Sequence, residues 1–224
     1  MQAPLISYVA MGSSLLPAAA GCLRYRRLSL AMKLFLGYCS IAFAQIAGEY
    51  WLAIHRTPNA FLANFGLGTE PFLFCAVYAV ALGSGMPRRL VILAGLMYGL
   101  FWVPDRIFFE VSSTQLHEAA GIVSRMAIVV MSAVTLHNTA RRTATLLSDE
   151  PLFWVTTASL LAAAGEAFVI GAGNELLALG MQYFQAAWEL NWSLLILSNL
   201  LFLRGFLCNP VPTIFSGHLV SAWQ

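Results

Sequence analysis

Charge is the scarcest commodity in this chain of 224 residues. Asp, Glu, Lys and Arg together make up 10% of it, where a soluble domain carries about 25%. Hydrophobic residues make up 59%, and the mean hydropathy is +0.75. One soluble core cannot bury that much apolar sequence, so the solvent is expected to be lipid. Lysine is nearly absent: Lys33 is the only one, and it lies at the start of the second apolar run. A retinal protein is thereby excluded, because retinal needs a lysine Schiff base in the last helix. A net charge of +2 without a basic stripe excludes nucleic acid as a partner. Cys22, Cys39, Cys75 and Cys208 have no CxxC spacing and are expected to stay reduced. His55, His117, His137 and His218 divide between the two membrane faces. With no HExxH or ExxH pattern, no zinc or di-iron centre is expected. A carboxylate-only calcium or magnesium site is the metal chemistry left open. GxSxG and Walker patterns are missing too, and no cofactor is expected.

What the chain has instead is long apolar runs. A transmembrane helix needs about 20 residues. Seven segments qualify: 3–22, 30–54, 60–85, 89–109, 115–137, 151–172 and 176–207. The expected fold is therefore an all-α, polytopic seven-helix bundle over residues 1–208, with a short cytoplasmic tail at 209–224. The first run lacks a basic leader and a cleavage site, so it reads as a retained helix. Arg24, Arg26, Arg27, Lys33, Arg88, Arg89, Arg141, Arg142 and Arg204 fall on one side of the membrane by this count. Arg56 and Arg106 fall on the other. Basic loops stay cytoplasmic, which puts the amino terminus outside and the carboxyl terminus inside. No connection is long enough to fold separately, so a signalling output would need a cytoplasmic partner. Pro71, beside Glu70, is expected to kink the third span. Glu70-Pro71-Phe72-Leu73-Phe74 is weakly echoed by Glu150-Pro151-Leu152-Phe153-Trp154, too little to establish an inverted repeat.

Five acids interrupt these runs: Glu49, Glu70, Glu118, Glu166 and Glu189. Arg125 is the one base at comparable depth. An ionised side chain in hydrocarbon costs several kcal/mol unless paired, solvated or neutralised, so such residues mark a site. Helical rise puts Glu49 and Glu118 near the outer ends of their spans and Glu166 about 10 Å in. Glu70 and Arg125 fall about 15 Å deep and Glu189 about 20 Å. Polar stripes recur at helical spacing. They run through Tyr38, Gln45 and Glu49; through Glu118, Gly121, Arg125 and Ser132; and through Thr156, Ser159 and Glu166. The last span carries Gln182, Gln185, Glu189, Trp192 and Asn199. Polar stripes turn away from lipid, so a shared polar chamber open to the outside is expected. Trp188 and Trp192 are candidates to line it, whereas Trp51 and Trp102 suit the interfacial aromatic belt. Glu118 and Arg125 can alternatively serve as plain interhelical partners. Five carboxylates around one guanidinium repel one another. At least two are expected to carry a proton at neutral pH unless a cation is bound, which favours a cationic ligand or proton traffic over an anion.

Two runs point to a family. Arg56-Thr57-Pro58-Asn59-Ala60-Phe61 with Glu70 behind it, and Glu150-Pro151-Leu152-Phe153-Trp154-Val155 followed by Asn199, resemble small seven-helix proteins of Bacteroidetes-type bacteria. The resemblance implies a multi-pass protein of the bacterial inner membrane and no particular chemistry. A second, poorer likeness is to integral-membrane terpenoid cyclases, which protonate their substrates with buried acids. It implies Glu49 as the acid and Glu189 as a second one. Gly48 stands where that family's second span has tryptophan.

Three functions remain open on these grounds. One is a receptor or sensor whose outward acidic cavity takes a small cationic or amphiphilic ligand, lined by Glu49, Glu70, Glu118, Arg125, Glu166, Gln182, Gln185, Glu189 and Trp192. The second is an intramembrane enzyme with Glu49 and Glu189 as acids. The third is a small proton- or cation-coupled carrier.

Overall fold

A computed structural model describes residues 5–108, 118–143 and 146–208. Eight α-helices follow one another: α1 Leu5–Leu23, α2 Leu30–Ile54, α3 Ala60–Ala81, α4 Met86–Phe108, α5 Glu118–Arg142, α6 Pro151–Gly171, α7 Gly173–Leu179 and α8 Met181–Leu207. No strand occurs among the described residues. Seven of the helices are long and apolar enough to cross a membrane. Helix is the form such runs must take in lipid, because each backbone N–H then finds its acceptor within the segment.

The ends follow local chemistry. Ser29 caps α2, its hydroxyl accepting from the Met32 N–H at 3.4 Å. Pro151 opens α6, where its missing N–H costs nothing. Pro71 lies inside α3 instead, so the two Glu-Pro echoes occupy different positions. The helix runs on through Pro71, but the proline cannot bond the Leu67 carbonyl. Tyr98 of α4 supplies the missing donor, its hydroxyl lying 2.6 Å from Leu67 O.

The last apolar run differs from the sequence expectation. It breaks at Gly180, whose φ of +139° is open to glycine alone at little cost. The short α7 therefore precedes a separate α8. The fifth span also runs on to Arg142 rather than ending at 137. Residues 209–224, read as a tail, lie outside the described residues.

Helices α1, α2, α3, α5, α6 and α8 pack in that order, and α8 closes back on α1. They form a ring of six. Helix α4 packs outside it, against α3 and α5. Lipid gives no hydrophobic drive to such packing, which rests on close contact and small residues. Gly68 of α3 lies directly against the Trp102 indole of α4, and Gly21 of α1 against Leu36 and Phe206.

The ring is filled at one end only. Phe35 packs on Phe202 and Phe206 at centroid distances of 4.9 and 5.6 Å, and Tyr38 on Phe74 at 4.6 Å. This aromatic plug lies toward the end that carries Arg24 and Arg204. There Arg24 donates to the Phe206 carbonyl at 3.0 Å, and the Arg204 guanidinium lies 5.9 Å from the Trp154 ring centre. Toward the other end, where Asn59 donates to the Glu49 carbonyl at 3.2 Å, the ring is hollow.

Candidate functional site: an acidic cavity inside the helix ring

The hollow is a cavity of about 570 Å³, lined from α1, α2, α3, α5, α6, α7 and α8. Its floor is the plug, at Tyr38, Phe74 and Phe202. Its walls are mostly apolar, with polar groups gathered on the α2, α3, α5 and α6 side.

Arg125 of α5 is the hub. Its Nη1 donates to Glu70 Oε2 of α3. Its Nε lies 2.5 Å from Glu166 Oε2 of α6. That second contact is a charge pairing without hydrogen-bond alignment. The three side chains are 12%, 18% and 23% exposed, so water screens them little. Tyr38 of α2 completes the group, its hydroxyl donating to Glu70 Oε1 at 2.6 Å. Glu70 thus has a donor on each oxygen. A carboxylate tied this way is a structural clasp across α2, α3 and α5 as well as a charged surface.

Glu49 is held differently. Its Oε1 accepts from Gln45 Nε2 at 2.9 Å, within the same helix. No cation pairs with it among the described residues. Gly66 makes room for this arrangement: a Cβ there would collide with the Gln45 amide. Glu166 lies near enough to feel the charge of Glu49 as well as that of Glu70. Glu70 and Glu166 therefore share the one guanidinium, and Glu49, lining the same cavity, is left with its amide partner.

The opposite side is aromatic. Trp188 and Trp192 line the cavity with ring centres 6.1 Å apart, and Phe184 follows 6.2 Å from Trp188. Asn191 adds a buried amide. Deeper in, Asn199 donates to Ser13 Oγ at 2.9 Å and ties α8 to α1.

Of the residues that sequence spacing singled out, the cavity gathers Glu49, Glu70, Arg125, Glu166 and Trp192. The side chain of Glu118 lies outside the described residues, so its pairing with Arg125 is not described. Gln182, Gln185 and Glu189 are corrected: they are exposed on the outer side of α8 and do not line the cavity. The reason is angular. At about 100° per residue, the inward seam runs through Phe184, Trp188, Asn191, Leu195, Asn199 and Phe202. Gln182 and Glu189 sit roughly opposite that seam, and the stripe read from spacing only grazes it at Trp192 and Asn199. Trp51 is 60% exposed, as a belt residue should be. Trp102 packs between helices against Gly68. Asn191 and Tyr98 went unmarked; Tyr98 was findable as a partner for the carbonyl that Pro71 frees.

Among the described residues, no three His, Cys, Asp or Glu side chains draw close enough to hold a metal ion. Comparison with protein-family models, curated proteins and solved structures finds no match to this chain.

Proposed function

We propose that this is a ligand-binding membrane protein of receptor or sensor type, whose cavity takes a small organic cation with an apolar body. The observation that carries the reading is the inequality among the three cavity acids. Glu70 and Glu166 are engaged by Arg125, while Glu49 has an amide partner only. With all three ionised, the cluster carries two uncompensated negative charges, an expensive state in low dielectric. A cation beside Glu49 relieves it. Trp188 and Trp192 supply ring faces that attract such a cation. A volume of about 570 Å³ falls in the usual range for small-molecule sites, about 300–1,000 Å³.

The basic loops support a cytoplasmic plug end and a cavity mouth that opens to the outside. The resemblance to Bacteroidetes-type seven-helix proteins supports the bacterial inner membrane. Signal transfer would run through the Glu70–Arg125–Glu166 clasp, which joins three helices, to a cytoplasmic partner. That needs two states with different ligand affinity. The enzyme reading is weaker here, since Glu189, its second acid, lies off the cavity.

The test uses a probe of the stated chemistry. Hexyltrimethylammonium is titrated against the protein in nanodiscs, with tryptophan fluorescence as the readout. Binding is expected, and Glu49→Gln should weaken it about tenfold or more, the worth of one charge-assisted contact. An uncharged alkyl analogue of the same shape should not distinguish the two proteins. Equal affinity of wild type and Glu49→Gln for the cation would overturn the proposal.

A further inference from the structure

The outer side of α8 presents a polar face that no described residue covers. Gln182, Ala186, Glu189 and Ser193 follow one another by steps of four, three and four along the outer side of that helix, and all are exposed. Gln185, also exposed, flanks them. Glu189 lies eight residues beyond Met181, the first residue of α8, about 12 Å down the helix. Counted from Arg204 at the opposite boundary, it lies about 22 Å up. Both counts put it within the apolar layer. Lipid cannot donate to its carboxylate; Gln182 and Gln185 stand nearer the outer end of the same helix. Among the described residues neither Glu189 nor the glutamines have a hydrogen-bond or ion-pair partner from their side chains; Ser193 bonds back to the Glu189 carbonyl at 2.9 Å.

We infer that this face of α8 is the contact between two copies of the protein, related by a two-fold axis along the membrane normal. Its chemistry is self-complementary. Amide donors at Gln182 and Gln185 stand one to two turns from a carboxylate acceptor at Glu189 on the same side. Two copies inserted in the same sense bring their α8 helices together in the same direction. Each Gln185 then reaches the Glu189 of the other copy, and the bond is made twice. Ala186 and Ser193, seven residues apart, keep the seam small where the helices must approach. A two-fold contact uses the same patch on both copies, which a stripe holding both donors and acceptor satisfies and a purely acidic stripe would not.

The experiment uses full-length protein in bilayers. Ala186→Cys in a Cys22→Ser background should cross-link to a dimer under mild oxidation, whereas Leu96→Cys on the outer face of α4, 61% exposed, should not. Single-molecule photobleaching in liposomes across a range of protein-to-lipid ratios gives the dissociation constant. Glu189→Leu with Gln185→Leu should raise that constant about tenfold or more, for two symmetric interhelical hydrogen bonds lost. Glu189→Gln keeps a bonding group and should dimerise close to wild type. A monomer at every ratio, cross-linking at Leu96 equal to that at Ala186, or association unchanged by the double leucine variant would each overturn the inference. A partner helix bearing Arg or Lys that displaces the second copy would do so too. None of these outcomes touches the cavity proposal, whose residues lie on the other side of α8.

Discussion

Removing Arg125 tests the clasp most directly. Arg125→Met keeps the bulk of the stem and deletes the charge that Glu70 and Glu166 share. The two carboxylates are then left facing each other with little water around them. Breaking a buried pair from one side costs about 3–5 kcal/mol. A second route gives a similar figure. The stranded acids escape by taking up protons, and moving a carboxyl from an ordinary value near 4.3 to neutrality at pH 7 costs about 4 kcal/mol. One proton relieves the mutual repulsion; two set an upper bound of about 7 kcal/mol.

The proton route also fixes the sign of the pH dependence. The folded variant binds protons that its unfolded chain has released, so its stability falls as pH rises above the unfolded value. At pH 5 the cost per carboxyl shrinks to about 1 kcal/mol. Unfolding of the purified protein in mild detergent, followed by heat or by titrated denaturing detergent at pH 5 and pH 7.5, measures both effects. The triple variant Arg125→Met, Glu70→Gln, Glu166→Gln should regain most of the loss, because amides need no countercharge. An Arg125→Met protein as stable as wild type at pH 7.5, or one whose defect is the same at pH 5, would refute the reasoning.

Two further substitutions probe the frame around the cavity. Tyr98→Phe strands the Leu67 carbonyl and should cost about 1–3 kcal/mol. In a Pro71→Ala background, where the backbone N–H returns, the same change should cost far less, as a double-mutant cycle by thermal unfolding will report. Gly68→Ala would put a Cβ 2.5 Å from the Trp102 ring. The α3–α4 contact must open, at about 1–3 kcal/mol by overpacking, while affinity for hexyltrimethylammonium should hold, since neither residue lines the cavity.

Much of the architecture was legible in the residues because lipid imposes so few choices. Apolar runs of about 20 residues must be helices there, and the seven long helices fall where those runs do. The exceptions have local causes. Gly180 splits the last run through a backbone angle that spacing does not reveal. Pro71 lies inside an unbroken α3, and the carbonyl it leaves free is taken up by Tyr98, on a helix distant in sequence. Of the α5 stripe only Arg125 was found at the cavity, since Ser132 bonds to Tyr78 and the Glu118 side chain lies outside the described residues; the stripes on α2 and α6 were found there through Tyr38, Gln45 and Glu49 and through Ser159 and Glu166. That on α8 was not, because this helix has polar residues on two arcs: Asn191, Ser198 and Asn199 are buried, and Gln182, Gln185 and Glu189 are exposed. Periodicity measures angles between residues on one helix and carries no zero point.

That limit separates the two sources of knowledge about this protein. Composition and run length alone determine a many-helix body built for lipid, because free energy of transfer depends on what a segment contains and not on its neighbours. Which acid meets Arg125, which one is left with only an amide, and which face of α8 looks inward are decided by how six helices rotate about their own axes to close a ring. Those rotations follow from contacts such as Phe35 on Phe202 and Phe206, made between residues far apart in the chain.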